Sequence, residues 1–153
     1  SSRPPRERPQ VVEPVAAFGP AGSTGEVNVS VVVAPILEGF SLEALGSAEE
    51  VARQFLRTIS PEGSGRVTQL FNWASQRSTA PDAGEDPTTY YSMEYTVKGP
   101  SSAAAGFFFR HNLSVITSRG TQLFTLNAQC PEDDWSKQAS LLHLSADSFQ
   151  LTR

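Results

Sequence analysis

Few residues in this chain are of a type that could do chemistry. They are two histidines, His111 and His143, a lone cysteine, Cys130, and one acidic run, Glu132-Asp133-Asp134. A Cys130–histidine dyad would place a nucleophile beside its base, the minimum for covalent catalysis. His111, however, falls on a strand face otherwise made of Phe109, Leu113 and Val115, where a core or interface histidine is the simpler expectation. His143 follows a leucine pair and reads as a surface residue. Glu132, Asp133 and Asp134 group hard oxygens of the kind calcium or manganese prefers. Their spacing does not follow a calcium-binding loop, and acids at a helix start complement the helix dipole. Capping is therefore their expected role, and no metal or cofactor is assigned. One cysteine excludes an internal disulfide and a cysteine-based zinc cluster within one chain. No Gly-x-Ser-x-Gly elbow, phosphate loop or dinucleotide fingerprint occurs. The expectation is a binding protein with no catalytic residues.

Two groups of residues suit binding. Arg3, Arg6 and Arg8 lie among Pro4, Pro5 and Pro9, on a segment that proline keeps extended. With Glu7 they give the first eight residues a charge of +2, which leaves −6 for the rest of a chain whose net charge is −4. That balance argues against nucleic acid as a partner. Phe108 points away from the face that holds Phe107 and Phe109. Beside Arg110, and on a face left open by the helices, it would make an interface anchor. The Phe107–Phe109 run, Trp73 and Trp135 otherwise read as core. Asn28-Val-Ser30 and Asn112-Leu-Ser114 have the form of glycosylation acceptors but lie within expected strands.

These residues need a scaffold, and 153 residues are the usual length of one domain. Hydrophobic residues make up 39% of the chain and charged residues 18%, a globular balance. No apolar run approaches the roughly 20 residues that cross a bilayer, so attachment to a membrane would be peripheral. The sole methionine is Met93, and a targeting segment ahead of residue 1 is expected to have been removed. Residues 1–25 form an extended Pro/Gly-rich segment in which only Val11–Phe18 is apolar enough to lie along a sheet edge. The folded domain is expected over 26–153.

Within it, Val27–Ala34 alternates valines with Asn28 and Ser30 as a strand does. Ser47-Ala-Glu-Glu50 is a capping box opening a helix with Val51, Ala52, Phe55 and Ile59 on one face. Arg66–Gln76 reads as a strand with Val67, Phe71 and Trp73 on one side. Thr88–Val97 places Tyr91, Met93, Tyr95 and Val97 together, and the strand from Phe107 turns at Arg119-Gly120 into Gln122–Ala128. Pro131 is expected to start the last helix. Phe149 and Leu151 are expected to form a short closing strand. Four consecutive strands between two helices imply an α+β fold, a central antiparallel sheet flanked by helices.

Several strings, in order, resemble the PsbP family. They are Asn28-Val-Ser-Val-Val-Val-Ala-Pro35, Gly46-Ser-Ala-Glu-Glu-Val51, Tyr90-Tyr-Ser-Met-Glu-Tyr95, the stretch from Leu123 to Trp135, and Ala146-Asp-Ser-Phe149. The resemblance covers about residues 27–152; the aromatic, proline and tryptophan with which family members usually begin have no counterpart in residues 1–25. It implies a PsbP-like α/β/α sandwich in the chloroplast thylakoid lumen. The implied partner is photosystem II, through its lumenal subunits, where the founding member helps the oxygen-evolving centre retain calcium and chloride. Related domain proteins imply an assembly factor for photosystem I or a subunit of the chloroplast NDH complex as alternatives. A more distant fold relative, the Mog-type regulator of a Ran-like GTPase, is a further one.

Overall fold

The computed structural model describes residues 14–18, 27–78, 88–101 and 106–151; Arg3, Arg6 and Arg8 lie outside them. Six strands are β1 (Pro14–Phe18), β2 (Asn28–Pro35), β3 (Val67–Ser78), β4 (Thr88–Pro100), β5 (Phe107–Arg119) and β6 (Gln122–Pro131). Helix α1 (Ala48–Ile59) lies between β2 and β3, and α2 (Trp135–Asp147) follows β6. The strands form one antiparallel sheet in the order β1-β2-β6-β5-β4-β3. The sheet thus begins ahead of residue 26, with β1 on its edge beside β2.

Local chemistry sets the element ends. Ser47 caps α1, its hydroxyl accepting from the Glu50 N–H at 3.2 Å. Gly120 takes φ +59°, the left-handed turn that lets β5 double back so that Arg119 pairs with Gln122.

Alternation along the strands gives the sheet two different faces. One face carries Tyr91, Met93, Tyr95, Val97 and Ile116 and packs against Val51, Ala52 and Leu56 of α1. The other carries Val27, Leu113, Val115, Leu126, Ala128 and Cys130 and packs against Leu142 and Ala146 of α2. The helices do not cover the same strands: α1 lies on β3 and β4, and α2 on β5 and β6. Each face therefore keeps an uncovered quadrant. On the α1 side of β2 and β6 that quadrant is polar, with Asn28, Ser30, Asn127 and Gln129 in register.

Four expectations are corrected. Pro131, which has no N–H to donate, ends β6; a 3-10 turn, Glu132–Asp134, follows, and α2 opens only at Trp135. Residues 149–151 form no strand, because the Leu151 N–H donates to the Tyr90 hydroxyl (3.0 Å) while Phe149 packs edge-on against the Tyr90 ring. In β3 a bulge between Leu70 and Asn72 breaks the alternation, so Phe71 and Trp73 face opposite sides. Trp73 is 40% exposed under the Arg53 guanidinium of α1, while Phe107 and Phe109 are 78% and 44% exposed at the end of β5, so none of the three is core.

Candidate functional site

A cluster of titratable side chains is built around His111. His111 is 4% exposed, and its imidazole lies between two parallel rings. The Trp135 ring is 3.6 Å away and the Phe71 ring 5.6 Å, each inclined by 10°. In the ring plane, Nδ1 faces a Glu132 carboxylate oxygen at 2.7 Å and Nε2 faces Glu94 at 2.9 Å. An imidazolium donates from both nitrogens, whereas a neutral ring has one N–H. The other Glu94 oxygen lies 3.9 Å from Nε2 of the exposed His143.

Each member arrives from a different element. His111 is on β5, Glu94 on its neighbour β4, and Phe71 is the bulged residue of β3; Glu132 and Trp135 come from the turn and first residue of α2. Both edges and both faces of His111 are thus occupied. The arrangement fastens the start of α2 to the sheet and leaves no ring nitrogen facing solvent as a general base.

Cys130 is the cross-strand neighbour of His111 and is fully buried. Burial first, then the charges of Asp134 and Glu132, pushes its thiol up to about 11, so a thiolate nucleophile is disfavoured. The expected acidic cluster is divided by the 3-10 turn: Glu132 turns inward to His111 while Asp133 is exposed. Among the described residues no three His, Cys, Asp or Glu side chains are placed to hold one metal ion.

Two open clefts occupy the uncovered quadrants. The first, about 240 Å³, lies beside the His111 cluster and is lined in part by Asn72, Glu94, His143 and Asp147. The second, about 340 Å³, lies on the α1 side, where Phe108 and Arg110 sit together with Arg66, Tyr95 and Gln129. Phe108 is half-buried, with the Arg66 guanidinium 5.8 Å from its ring centre. Arg110 Nε donates to Gln129 at 2.8 Å, and Gln129 donates in turn to Asn28 at 3.1 Å. Phe108 and Arg110 are therefore brought together on a face that α1 covers only in part. Glu94, Phe71 and Arg66 were not singled out from sequence. Glu94 and Phe71 meet His111 only through the β4–β5 register and the β3 bulge, and Arg66 is placed by the Ile59 carbonyl at the end of α1 and the Phe108 ring of β5.

Over residues 11–151 the sequence matches the PsbP family profile. This chain belongs to the PsbP family. The match begins ahead of the family-like strings at residue 27 and takes in β1. Among PsbP-family relatives, the chain is 42% identical over 144 residues to PsbP domain-containing protein 7, chloroplastic, of Arabidopsis thaliana, covering 94% of this chain and 48% of that protein. The chain thus spans about half the length of that relative. It is 38% identical over 142 residues to CyanoP of Thermosynechococcus vestitus, covering 92% of this chain and 73% of that protein. The solution structure of cyanobacterial PsbP (CyanoP) from Synechocystis superposes with a TM-score of 0.63 at 27% identity, over 83% of this chain and 68% of that one. The expected PsbP-like fold, an antiparallel sheet with two helices, is the one observed.

Proposed function

We propose that this PsbP-family domain is a non-catalytic auxiliary protein of the thylakoid lumen that docks on a photosynthetic membrane complex, photosystem II first among them, and supports its assembly or stability. The observation that carries the reading is the similarity to PsbP-family proteins across the whole sheet, from residue 11 to 151, with chloroplastic and cyanobacterial relatives. The character of the reactive residues supports a role without turnover. His111 is spent on Glu94 and Glu132, and Cys130 is buried with its thiol held protonated. Among the described residues no helix is long and apolar enough to cross a membrane.

Docking would use preformed surface, with Phe108 and Arg110 as one contact and the arginines Arg3, Arg6 and Arg8 as a second, ionic one. Affinity purification of the tagged protein from solubilised thylakoids tests the reading. Photosystem II subunits are expected in the eluate. Recovery without any photosynthetic complex overturns it.

A further inference from the structure

The two edges of the sheet are built differently. β1 is 5 residues long and opens with Pro14, which has no N–H to offer a further strand. β3, the other edge, runs for 12 residues and holds no proline, lysine, aspartate or glutamate. Those residue types are common means of keeping an exposed edge from pairing. Among the described residues no strand lies beyond β3. The bulge at Phe71 interrupts its ladder, but residues 72–78 pair with 88–94 in unbroken register.

Two hydrogen bonds fix which backbone groups of that stretch face outward. In an antiparallel ladder a residue turns its N–H and C=O to one neighbour, and the next residue turns both to the other side. The Thr89 carbonyl accepts from the Thr117 hydroxyl of β5 (2.8 Å), so Thr89 faces β5, and Tyr90, Ser92 and Glu94 face β3. Asn72, Ala74 and Gln76, which pair with those three, turn inward, whereas Trp73, Ser75 and Arg77 turn their N–H and C=O outward. The Trp73 N–H agrees with this phase: it donates to its neighbour's Asn72 Oδ1 (2.9 Å), which stands where a further strand would accept. The side chains also divide. Trp73, Ser75 and Arg77 lie on the α1 side, with the Arg53 guanidinium over the Trp73 ring, while Asn72, Ala74 and Gln76 border the first cleft.

An open edge is complementary to an extended polypeptide, in which main-chain bonds give affinity and alternate side chains give specificity. Residues 66–78 include Arg66 and Arg77 and no acid, in a chain of net charge −4, which suits a strand that carries carboxylates. A second copy suits it less. Antiparallel self-pairing about Ser75 would set each Arg77 opposite the other copy's Trp73, whose ring already carries Arg53, so that like charges meet twice. We propose that residues 72–78 of β3 bind an extended acidic segment of a partner polypeptide as an added strand, with an apolar and acidic row beside Trp73 and Arg77 and an uncharged row over the first cleft. The inference deepens the docking function proposed above and rests on it for the partner's existence, not for the chemistry of the edge.

The test titrates the purified chain with the peptide acetyl-Glu-Thr-Val-Thr-Val-Thr-Glu-amide and follows backbone amides by NMR. Hydrogen exchange at Ser75 and Arg77 is expected to slow on binding, while Ala16 and Ala17 of β1 stay unchanged. The same peptide N-methylated throughout keeps its side chains and should bind roughly tenfold or more weakly. Glutamine in place of its glutamates should weaken binding by about two- to fivefold at low salt, and no difference overturns the acidic assignment. Ser75→Pro removes one outward N–H, keeps the bonds to β4 and should also lose roughly tenfold in affinity. Equal binding of the methylated and unmethylated peptides to the unmodified protein overturns the proposal without recourse to any variant. If sedimentation velocity shows a dimer that Ser75→Pro abolishes, the edge serves a second copy and the assignment to a partner falls. Peptide pairing on β3 with no photosystem recovered from thylakoids would remove the functional reading and leave the edge. Photosystem recovery with no protection at Ser75 and Arg77 would do the reverse.

Discussion

His111 joins three parts of the molecule that have no covalent reason to meet. Its two carboxylate partners come from β4 and from the turn before α2, and its stacking partners from β3 and α2. Removing the ring would leave Glu94 and Glu132 facing a void without the imidazole they share. His111→Ala should destabilise the fold by about 2–4 kcal/mol, combining a lost buried network with a cavity. Urea denaturation followed by tryptophan fluorescence reads that loss, and a change under about 0.5 kcal/mol, the range of ordinary surface substitutions, would show the bracket to be incidental.

The buried acids Cys130 and Tyr95 give a second expectation. Burial raises the thiol from 9.0 to about 11 and, against a weaker lowering by the Ser114 hydrogen bond, the phenol from 10.0 to about 12. Both groups ionise earlier in the unfolded chain, so above pH 9 the native state holds more protons than the unfolded state. Their contribution is fully present below pH 9 and is lost as pH rises through the native values. Urea midpoints should decline from pH 9 upward. Cys130→Ala should flatten the first part of that decline while leaving the part due to Tyr95. A midpoint independent of pH across that window would contradict the burial of both groups.

At the scale of elements, the bulge in β3 is the feature with the sharpest consequence. Leu70 pairs with Tyr95 and Asn72 with Glu94, which are consecutive residues of β4, so Phe71 is the extra residue. Strand register normally forbids single deletions, because a shift by one turns every side chain to the other face. Here deletion of Phe71 would restore simple alternation and leave both flanking registers intact. The shortened chain should fold with a stability close to that of Phe71→Ala, each losing about 1 kcal/mol of ring stacking on His111. Thermal unfolding of the two variants compares them, and failure of the deletion variant alone to fold would refute this account of the bulge. The helices show why the strand faces matter: α1 sits over the Tyr91–Val97 row and α2 over the Leu113–Cys130 rows because those are the apolar ones.

For the whole molecule, the diagonal placement of α1 and α2 is what leaves two open clefts of different character, one holding Glu94 and Asp147, the other Arg66 and Arg110. A domain with net charge −4 gains little from long-range attraction to an acidic partner, so ionic help would have to come from local positive groups. Arg3, Arg6 and Arg8 are proposed for that role. Exposed ion pairs contribute about 0.2–1 kcal/mol each and are screened by salt. Replacing all three by glutamine should leave the melting temperature unchanged and weaken binding to isolated thylakoid complexes at low salt. The difference should shrink as salt is raised. Equal binding of both proteins at low salt would remove the arm from the interface.

Much of this was legible in the chain alone. Alternation placed Tyr91, Met93, Tyr95 and Val97 on one face, Ser47 marked the start of α1, and Arg119-Gly120 marked a hairpin. Each of these is a local property, written in residues within one turn or one strand of each other. The family strings likewise followed the order of the elements, and His111 could be placed among apolar neighbours on its own strand. What that local reading could not reach was pairing across strands. The length of the β4–β5 connection does not fix its register, so nothing nearby in sequence tied Glu94 to His111. A bulge adds one residue without a compositional mark, and so Phe71 and Trp73 were set on one face. Cover was equally out of reach: whether Phe107, Phe109 and Trp73 lie inside depends on where two helices land. That is decided by which strands α1 and α2 cross, a property of the packed sheet alone.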